Sequence, residues 1–198
     1  MSRLLEPLVE RLLAGEHVVL HGPRGLGKSR LLAAVRTTLV ARGRACAASA
    51  ATASLGHVRE ALGRGPRPSV LLLDHVTTVT APMKTALRTL RGGDLGVLFA
   101  VDVDHPREHA RLRRWCLSNH EVAMPTTRSG ALRRLLAGRL AALDAEQERA
   151  LLLAARGRPG LVVVAAALAR DPSYWRGDRL HVATLTCDAE LRLRGALP

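Results

Sequence analysis

The strongest constraint on the fold is an eight-residue loop close to the N-terminus. Residues 22–29 read Gly-Pro-Arg-Gly-Leu-Gly-Lys-Ser, which is the pattern GxxxxGK[ST]. Glycines at these spacings let backbone N–H groups turn inward around a phosphate, while the lysine adds a compact positive charge and the serine hydroxyl a ligand for Mg²⁺. An apolar run precedes the loop and an amphipathic segment follows it. The sequence therefore predicts a strand, a phosphate-binding turn and a helix, in that order.

The same loop supplies the predicted nucleotide contacts. Lys28 is one of two lysines in the chain, the other being Lys84, so the pattern uses a residue type that the chain rarely contains. We expect a bound nucleotide to contact the whole loop and the arginine that follows it: Gly22, Pro23, Arg24, Gly25, Leu26, Gly27, Lys28, Ser29 and Arg30.

A second polar position follows a buried strand. Residues 70–73 are Val-Leu-Leu-Leu, and Asp74 comes directly after them. A carboxylate at the end of a strand that neighbours a phosphate loop can hold Mg²⁺, commonly through water. We therefore expect Ser29 and Asp74 to form the metal site; the alternative is an acid that only caps a turn after a core strand.

Two hydropathy patterns divide the chain. Up to residue 124, apolar strands alternate with amphipathic helices, which predicts a parallel sheet covered by helices on both faces. After that point three helices follow one another without strands between them. We predict three parts: an α/β nucleotide-binding domain over residues 1–125, a small helical lid over residues 126–178 and a tail over residues 179–198.

Local signals mark helix ends in the C-terminal part. Asp144 has Gln147 three positions later, which is the spacing of a capping box at the start of the second lid helix. The third lid helix is predicted to begin at Pro159, because proline favours the first helical position. The pattern of the tail fits either a hairpin or a short helix capped by Asp188.

Composition narrows the classes of protein. Of 198 residues, 47% are hydrophobic and only 2% aromatic, so the core must be built from Leu, Val and Ala. The net charge of +13 is spread along the chain and favours an anionic partner: nucleotide, nucleic acid or acidic protein. Three separated cysteines argue against a disulfide framework or a zinc knot. With no signal-peptide pattern and no apolar run long enough to span a bilayer, we expect a soluble cytoplasmic protein without a membrane partner.

Together, the phosphate loop, the strand before Asp74, the strand Gly-Val-Leu-Phe-Ala-Val at residues 96–101 and the helical lid resemble the AAA+ and STAND-type P-loop ATPases. The resemblance implies a P-loop NTPase fold with ATP and Mg²⁺ as cofactors. The segment Ala-Ala-Arg-Gly-Arg-Pro-Gly at residues 154–160 is similar to the start of the lid helix that carries the sensor-2 arginine. The resemblance thus implies that Arg158 reaches the γ-phosphate; the alternative is a solvated charge at a helix start.

Two positions depart from the pattern of that family. The acid that usually follows the Walker-B aspartate is here His75, whose neutral imidazole can orient water but matches the proton of a water less well than a carboxylate. The polar sensor-1 residue after the fourth strand is here Asp102, an acid that would repel a γ-phosphate unless Mg²⁺ or an arginine lies between them. Because they match catalytic positions of the family, we treat His75 and Asp102 as candidate catalytic residues.

An arginine finger donated to a neighbouring subunit would lie near the helix before the last strand. Three arginines are present there, and the alternative is that they form only a solvated basic helix face: Arg111, Arg113 and Arg114.

Tyr174, Trp175 and Arg176 are adjacent, and such a trio either stacks on a base or packs against the lid; we favour packing. The guanine-reading pattern NKxD is absent, since Asn119 is the only asparagine and His120 follows it. The absence of this pattern favours an adenine nucleotide over a guanine nucleotide by default.

The leading interpretation is an ATP-binding molecular switch and slow Mg²⁺-dependent ATPase. Mg-ATP would bind between the sheet and the lid, and its state would control homo-oligomerisation and the engagement of duplex DNA. The alternative is a STAND-like regulatory module that acts through a protein partner with little or no hydrolysis. A small-molecule kinase is less favoured, because residues 126–170 read as a helical bundle and not as an arginine-rich lid over a substrate pocket.

Overall fold

The structure is a computed structural model, and it describes residues 2–49, 69–76, 85, 95–102, 110, 120–140 and 143–195. The chain forms two compact units. The first contains Met1–Gly22 and Lys28–Met124, and the second contains Pro23–Gly27 and Pro125–Pro198.

The first unit is built on a five-stranded parallel sheet in the order β2-β3-β4-β1-β5. Its strands are β1 (His17–Gly22), β2 (Cys46–Ser49), β3 (Val70–Leu73), β4 (Gly96–Asp102) and β5 (Glu121–Ala123). Strands β3 and β4 are buried along their whole length, which explains their unbroken apolar sequences. Because all strands are parallel, the ends of β1, β3 and β4 bring Gly22, Asp74 and Asp102 to one edge of the sheet.

Two described helices pack on the central strands. Helix α1 (Ser2–Leu13) contacts β1 and β4, and α2 (Lys28–Ala41) contacts β1, β2 and β4. Each buries one apolar stripe at helical spacing: Leu8, Val9 and Leu12 on α1, and Leu31, Leu32, Val35 and Leu39 on α2. The sequence pattern also predicts helices at residues 54–62, 82–91 and 106–116, and these ranges lie outside the described residues except for Thr85 and Ala110, which are both helical.

The second unit is helical. It contains α3 (Ser129–Ala137), α4 (Ala145–Ala155), α5 (Pro159–Leu168) and α6 (Val182–Leu193). A 3₁₀ turn (Pro172–Tyr174) and a two-stranded ribbon of β6 (Trp175–Arg176) and β7 (Arg179–Leu180) connect α5 to α6. One apolar core joins the four helices, with fully buried Leu151, Leu161 and Leu185 at its centre. None of the helices in the described ranges has the length and apolar character needed to cross a bilayer.

Helix boundaries in this unit follow the capping signals. Asp144 accepts a hydrogen bond from the Gln147 backbone N–H at 2.7 Å, which confirms the predicted cap of α4. The Gln147 amide donates instead to the Asp178 carbonyl at 3.3 Å. The leucines at positions 132, 135, 136, 140 and 143 predict a longer first lid helix, but α3 ends at Ala137 because its C-cap is Gly138. The tail contains the helix Val182–Leu193, so the hairpin alternative for that segment is wrong. The predicted cap is also wrong, because the helix begins after His181 and Asp188 lies inside it.

Candidate nucleotide-binding site

The phosphate loop has the backbone conformation that its glycines predict. Gly25 and Gly27 have φ angles of +83° and +93°, in the region that side chains with a Cβ rarely adopt. The loop ends where α2 begins, at Lys28, and Ser29 is the second residue of that helix. The N-terminal partial charge of α2 therefore lies directly after the loop, which favours an anion there.

The loop lysine is buried and paired within the chain. Lys28 is 6% exposed, and its Nζ donates to the Gly22 carbonyl at 2.6 Å. The same Nζ lies 2.7 Å from Oδ1 of Asp102, which is 3% exposed. Asp102 is the last residue of β4 and pairs in register with Gly22, so the sheet itself places this carboxylate beside the loop. Sequence reasoning anticipated an acid near the phosphates but not this ion pair.

Asp74 and His75 follow β3 as a sharp turn. Asp74 is buried, and its Oδ1 accepts a hydrogen bond from the His75 backbone N–H at 2.9 Å. His75 has a φ of 51°, and its imidazole Nε2 lies 3.9 Å from Asp74 Oδ2. The side chain of His75 is about half exposed, at 52%. The turn thus keeps the aspartate fixed at the strand end and leaves the histidine accessible to solvent.

The predicted metal ligands belong to one cavity. Ser29 and Asp74 both line a cavity of about 510 Å³ in the first unit. A hydroxyl and a carboxylate are oxygen donors of the kind that Mg²⁺ uses when phosphates and water complete its coordination. Within the described ranges, no three His, Cys, Asp or Glu side chains form a cluster that could hold a metal without such a ligand. The residues therefore fit a Mg²⁺ ion that arrives with a nucleotide.

The middle of the phosphate loop is held by the C-terminal helices. The Gly160 N–H, at the start of α5, donates to the Gly25 carbonyl at 2.8 Å, and Arg24 Nη1 donates to the Leu193 carbonyl at 3.2 Å. A Cβ on Gly160 would lie 2.6 Å from Gly25 Cα, so only glycine permits this approach. Gly160 was not singled out from the sequence, although a glycine directly after the Pro159 that starts a helix is a usable signal.

Arg158 is the N-cap residue of α5 and is not a solvated charge. Its side chain is 11% exposed and forms an ion pair with Glu190 on α6. Its Nε also donates to the Ala155 carbonyl at 3.1 Å, at the end of α4. The guanidinium therefore ties three helices of the second unit together. Glu190 was missed in the sequence because only the tertiary fold brings it to Arg158.

The second unit also carries a groove rimmed by arginines. This groove, of about 580 Å³, is lined by four exposed arginines and, among the described residues, by no acid: Arg128, Arg133, Arg149 and Arg156. Leu132, Leu152 and Leu153 add apolar surface, and Leu153 is 67% exposed. Arg133 is partly neutralised, because its Nε lies 2.5 Å from Glu148. We call this feature the arginine groove.

The aromatic pair before α6 packs inside the second unit. Tyr174 and Trp175 lie against its apolar core, and Trp175 Nε1 donates to the Ala169 carbonyl at 2.7 Å. The Tyr174 hydroxyl donates to Asp188 at 2.8 Å, and this hydrogen bond raises the pKa of the phenol. The pair therefore anchors α6, as the packing interpretation predicted.

The remaining predicted site residues are two nucleotide contacts and the candidate arginine fingers. Arg30 is exposed on α2, and Leu26 is buried in the loop. The candidate arginine fingers Arg111, Arg113 and Arg114 lie outside the described residues.

Comparison with known proteins supports the fold. No protein-family model matches the sequence, and no curated protein is similar enough to count as a relative. Among solved structures, the replication initiator DnaA bound to AMPPCP and single-stranded DNA aligns with a TM-score of 0.58 at 19% identity, over 85% of this chain and 61% of that one. A katanin structure that describes self-assembly aligns with a TM-score of 0.56 at 20% identity, over 98% of this chain and 81% of that one.

The Thermotoga maritima RuvB Holliday junction branch migration motor aligns with a TM-score of 0.58 at 17% identity, over 99% of this chain and 66% of that one. This chain therefore spans less than two thirds of the DnaA and RuvB chains. Sequence identities this low support a shared fold but give no evidence for a shared activity. The parallel sheet, the phosphate loop at the end of β1 and these structural neighbours agree on one conclusion: the chain has the fold of the AAA+ P-loop ATPases.

Proposed function

We propose that this protein is an ATP-binding switch and a slow Mg²⁺-dependent ATPase, whose nucleotide state controls self-association and the engagement of DNA. One observation carries the proposal: Lys28 and Ser29 begin the helix after a glycine loop, and Ser29 shares a cavity with Asp74 at the end of β3, which β4 separates from β1 in the sheet. This is the arrangement that P-loop proteins use to hold a metal-bound triphosphate.

Each group at the sheet edge has a role that follows from its chemistry. The loop N–H groups and the start of α2 bind the phosphates, and Lys28 neutralises their β and γ oxygens. Ser29 and Asp74 would hold Mg²⁺, and a bound Mg²⁺ would supply positive charge beside the phosphates.

Slow hydrolysis follows from the residue after Asp74. His75 occupies the place where the family usually has an acid, and a neutral imidazole is a weaker match for the proton of the attacking water. Its partly exposed side chain can still orient a water. We therefore propose turnover well below that of an enzyme with a carboxylate at this position.

A route from nucleotide to conformational change lies inside the second unit. The loop carbonyl of Gly25 and the side chain of Arg24 are bound by residues of α5 and α6. A phosphate that rearranges the loop must alter these bonds, so the C-terminal helices respond directly to the ligand. Arg158 lies two residues before Gly160 and would become a γ-phosphate sensor once Glu190 releases it.

The DNA and self-association parts of the proposal rest on charge and on the structural neighbours. The net charge of +13 favours binding to a polyanion. Among the structural neighbours, DnaA is described as bound to single-stranded DNA, and RuvB is described as a Holliday junction branch migration motor. The katanin neighbour is described through its self-assembly. The candidate arginine fingers would then act across a subunit boundary.

The arginine groove favours a second candidate function, a regulatory module that acts through a protein partner. A nucleic-acid backbone makes little use of apolar surface, whereas an acidic protein segment can place an apolar side chain on Leu153 and its carboxylates on the rim. In this alternative the nucleotide controls the partner, and hydrolysis is weak or absent.

The first test is direct binding of a fluorescent mant-ATP to the purified chain with Mg²⁺. Lys28→Ala should weaken binding by about a hundredfold or more, because it removes the charge that faces the phosphates. Lys84→Ala, at the only other lysine, is the matched control and should bind as the wild type does. Absence of binding to the wild type, or equal loss in both variants, would refute the proposal.

A further inference from the structure

We propose that Asp102 is an internal competitor of the nucleotide for Lys28, and that it makes tight ATP binding depend on Mg²⁺. The inference rests on the proposed function, because it concerns the same phosphate site. It assigns to Asp102 a role in affinity and metal dependence and not a role in bond cleavage.

The geometry of the ion pair carries the inference. Asp102 Oδ1 lies 2.7 Å from Lys28 Nζ, and both side chains are almost fully buried, at 3% and 6% exposed. Lys28 also donates to the Gly22 carbonyl at 2.6 Å. The ammonium group is therefore folded back on its own loop and held by a fixed anion.

Burial makes this anion a strong competitor. A charge removed from water needs a compensating partner, and Asp102 compensates Lys28 in place of a phosphate. Its position is imposed by β4, which pairs with β1 over six consecutive residues that end at Gly22 and Asp102. The carboxylate consequently has little freedom to withdraw when a phosphate arrives.

An incoming nucleotide must take Lys28 away from Asp102. The carboxylate then lies close to added negative charge, and the repulsion grows with the charge on the phosphates. A triphosphate is therefore penalised more than a diphosphate. Mg²⁺ reduces the penalty, because it neutralises the phosphates before they meet Asp102.

The test compares Asp102→Asn with Asp102→Glu by mant-ATP and mant-ADP titrations, each with Mg²⁺ and with EDTA. Asp102→Asn keeps the shape and removes the charge, so it should tighten mant-ATP binding in EDTA by about tenfold or more, and mant-ADP binding by less. The difference between Mg²⁺ and EDTA should shrink in this variant. Asp102→Glu keeps the charge and should retain the metal dependence of the wild type.

Wild-type titrations provide a readout that needs no variant. The wild type should bind mant-ATP at least about tenfold more weakly in EDTA than with Mg²⁺, and equal affinities would overturn the inference. Circular dichroism checks folding, and Asp102→Ser replaces Asp102→Asn if the asparagine variant does not fold. Unchanged or weaker binding in the folded neutral variant would also overturn it.

The inference and the proposed function fail differently. If the wild type binds no mant-ATP under any condition, the proposed function is wrong. If the wild type binds it through Lys28 but the neutral variants gain nothing, the phosphate site stands and Asp102 is only a structural partner of the lysine.

Discussion

His75 and Arg156 have left-handed backbone conformations, with φ angles of 51° and 47°. They are the non-glycine residues with positive φ within the described part of the chain. Such a conformation costs a side chain with a Cβ about 1 kcal/mol or more, and strain of this kind is often found where function requires it. His75 adjoins Asp74, for which we propose the role of Mg²⁺ ligand, and Arg156 lines the arginine groove. The two strained residues therefore lie in the candidate nucleotide site and in the arginine groove, which we had identified from their side chains.

A carboxylate at position 75 should speed hydrolysis. His75→Glu supplies the acid that the family usually has after Asp74, and general-base assistance from a positioned group commonly contributes about a hundredfold or more. We expect phosphate release from Mg-ATP to rise by at least about tenfold, since the turn was not selected for glutamate. His75→Gln is the control and should not accelerate release. A His75→Glu rate equal to that of the wild type would show that this position does not limit turnover.

The sequence predicts the identity of the site residues better than their partners. Lys28, Ser29 and Asp74 follow from a spacing rule, because local backbone geometry alone sets the loop and the strand end. The partners Asp102 and Glu190 depend on which strands and helices are neighbours in space. Periodicity fixes where an element lies in the chain, but not which distant carboxylate reaches a given cation.

Strand β4 and helix α1 are in backbone contact at Gly96. A Cβ placed on this glycine would lie 2.0 Å from the Leu12 carbonyl oxygen. The contact involves main-chain atoms, which cannot rotate away as a side-chain end does. Gly96 thereby lets α1 pack flat on the start of β4, where Leu12 is fully buried.

Gly96→Ala should destabilise the first unit by about 3 kcal/mol or more, because backbone atoms must shift to admit the methyl group. Gly130→Ala is the matched control, since nothing lies within 4 Å of its Cβ position and the residue is helical. It should be neutral or stabilising by about 0.5 kcal/mol. Urea unfolding followed by circular dichroism measures both. Equal midpoints for Gly96→Ala and the wild type would contradict the close packing.

Element boundaries were predictable where a buried run or a cap ends an element. Strand β3 matches its prediction at both ends, and α4 begins after its predicted cap. The tail was ambiguous because its leucines satisfy both a two-residue and a helical spacing. Packing of Leu185 and Ala189 against α4 and α5 resolves it in favour of a helix.

Across the whole molecule, positive charge is distributed and not concentrated in one segment. The chain carries 30 basic and 17 acidic residues. A field of this kind attracts any polyanion and steers its approach, but it does not select a sequence or a partner. Selectivity would have to come from nucleotide-dependent assembly or from a local surface such as the arginine groove.

Duplex binding should strengthen with a non-hydrolysable ATP analogue and weaken with salt. In anisotropy titrations with a labelled duplex, we expect affinity to fall by about tenfold or more between about 50 and 200 mM salt. The ATP effect should vanish in Lys28→Ala. Absence of duplex binding at low salt, or binding indifferent to nucleotide, would contradict DNA engagement.

The arginine groove can be tested in the same assay. The double variant Arg149→Glu with Arg156→Glu reverses two charges in the groove. The control is the double variant Arg170→Glu with Arg176→Glu, which reverses two charges at exposed positions outside the groove. If overall charge governs duplex binding, both pairs should weaken it equally. A larger loss in the groove pair would instead place the duplex in the groove and contradict the protein-partner alternative.

The strand order also bears on how the chain is synthesised. The interior strand β1 is made before both of its neighbours, β4 and β5, with His17 opposite Val97 and Val19 opposite Glu121. A nascent chain that has not yet reached these residues leaves both edges of β1 unsatisfied while its phosphate loop already exists. Pairing across such long sequence separations is slow, and the exposed edges invite association with other chains. The strand that leads into the glycine loop is therefore made before the strands that complete its sheet, and we expect the emerging chain to need shielding from other chains until β5 has left the ribosome.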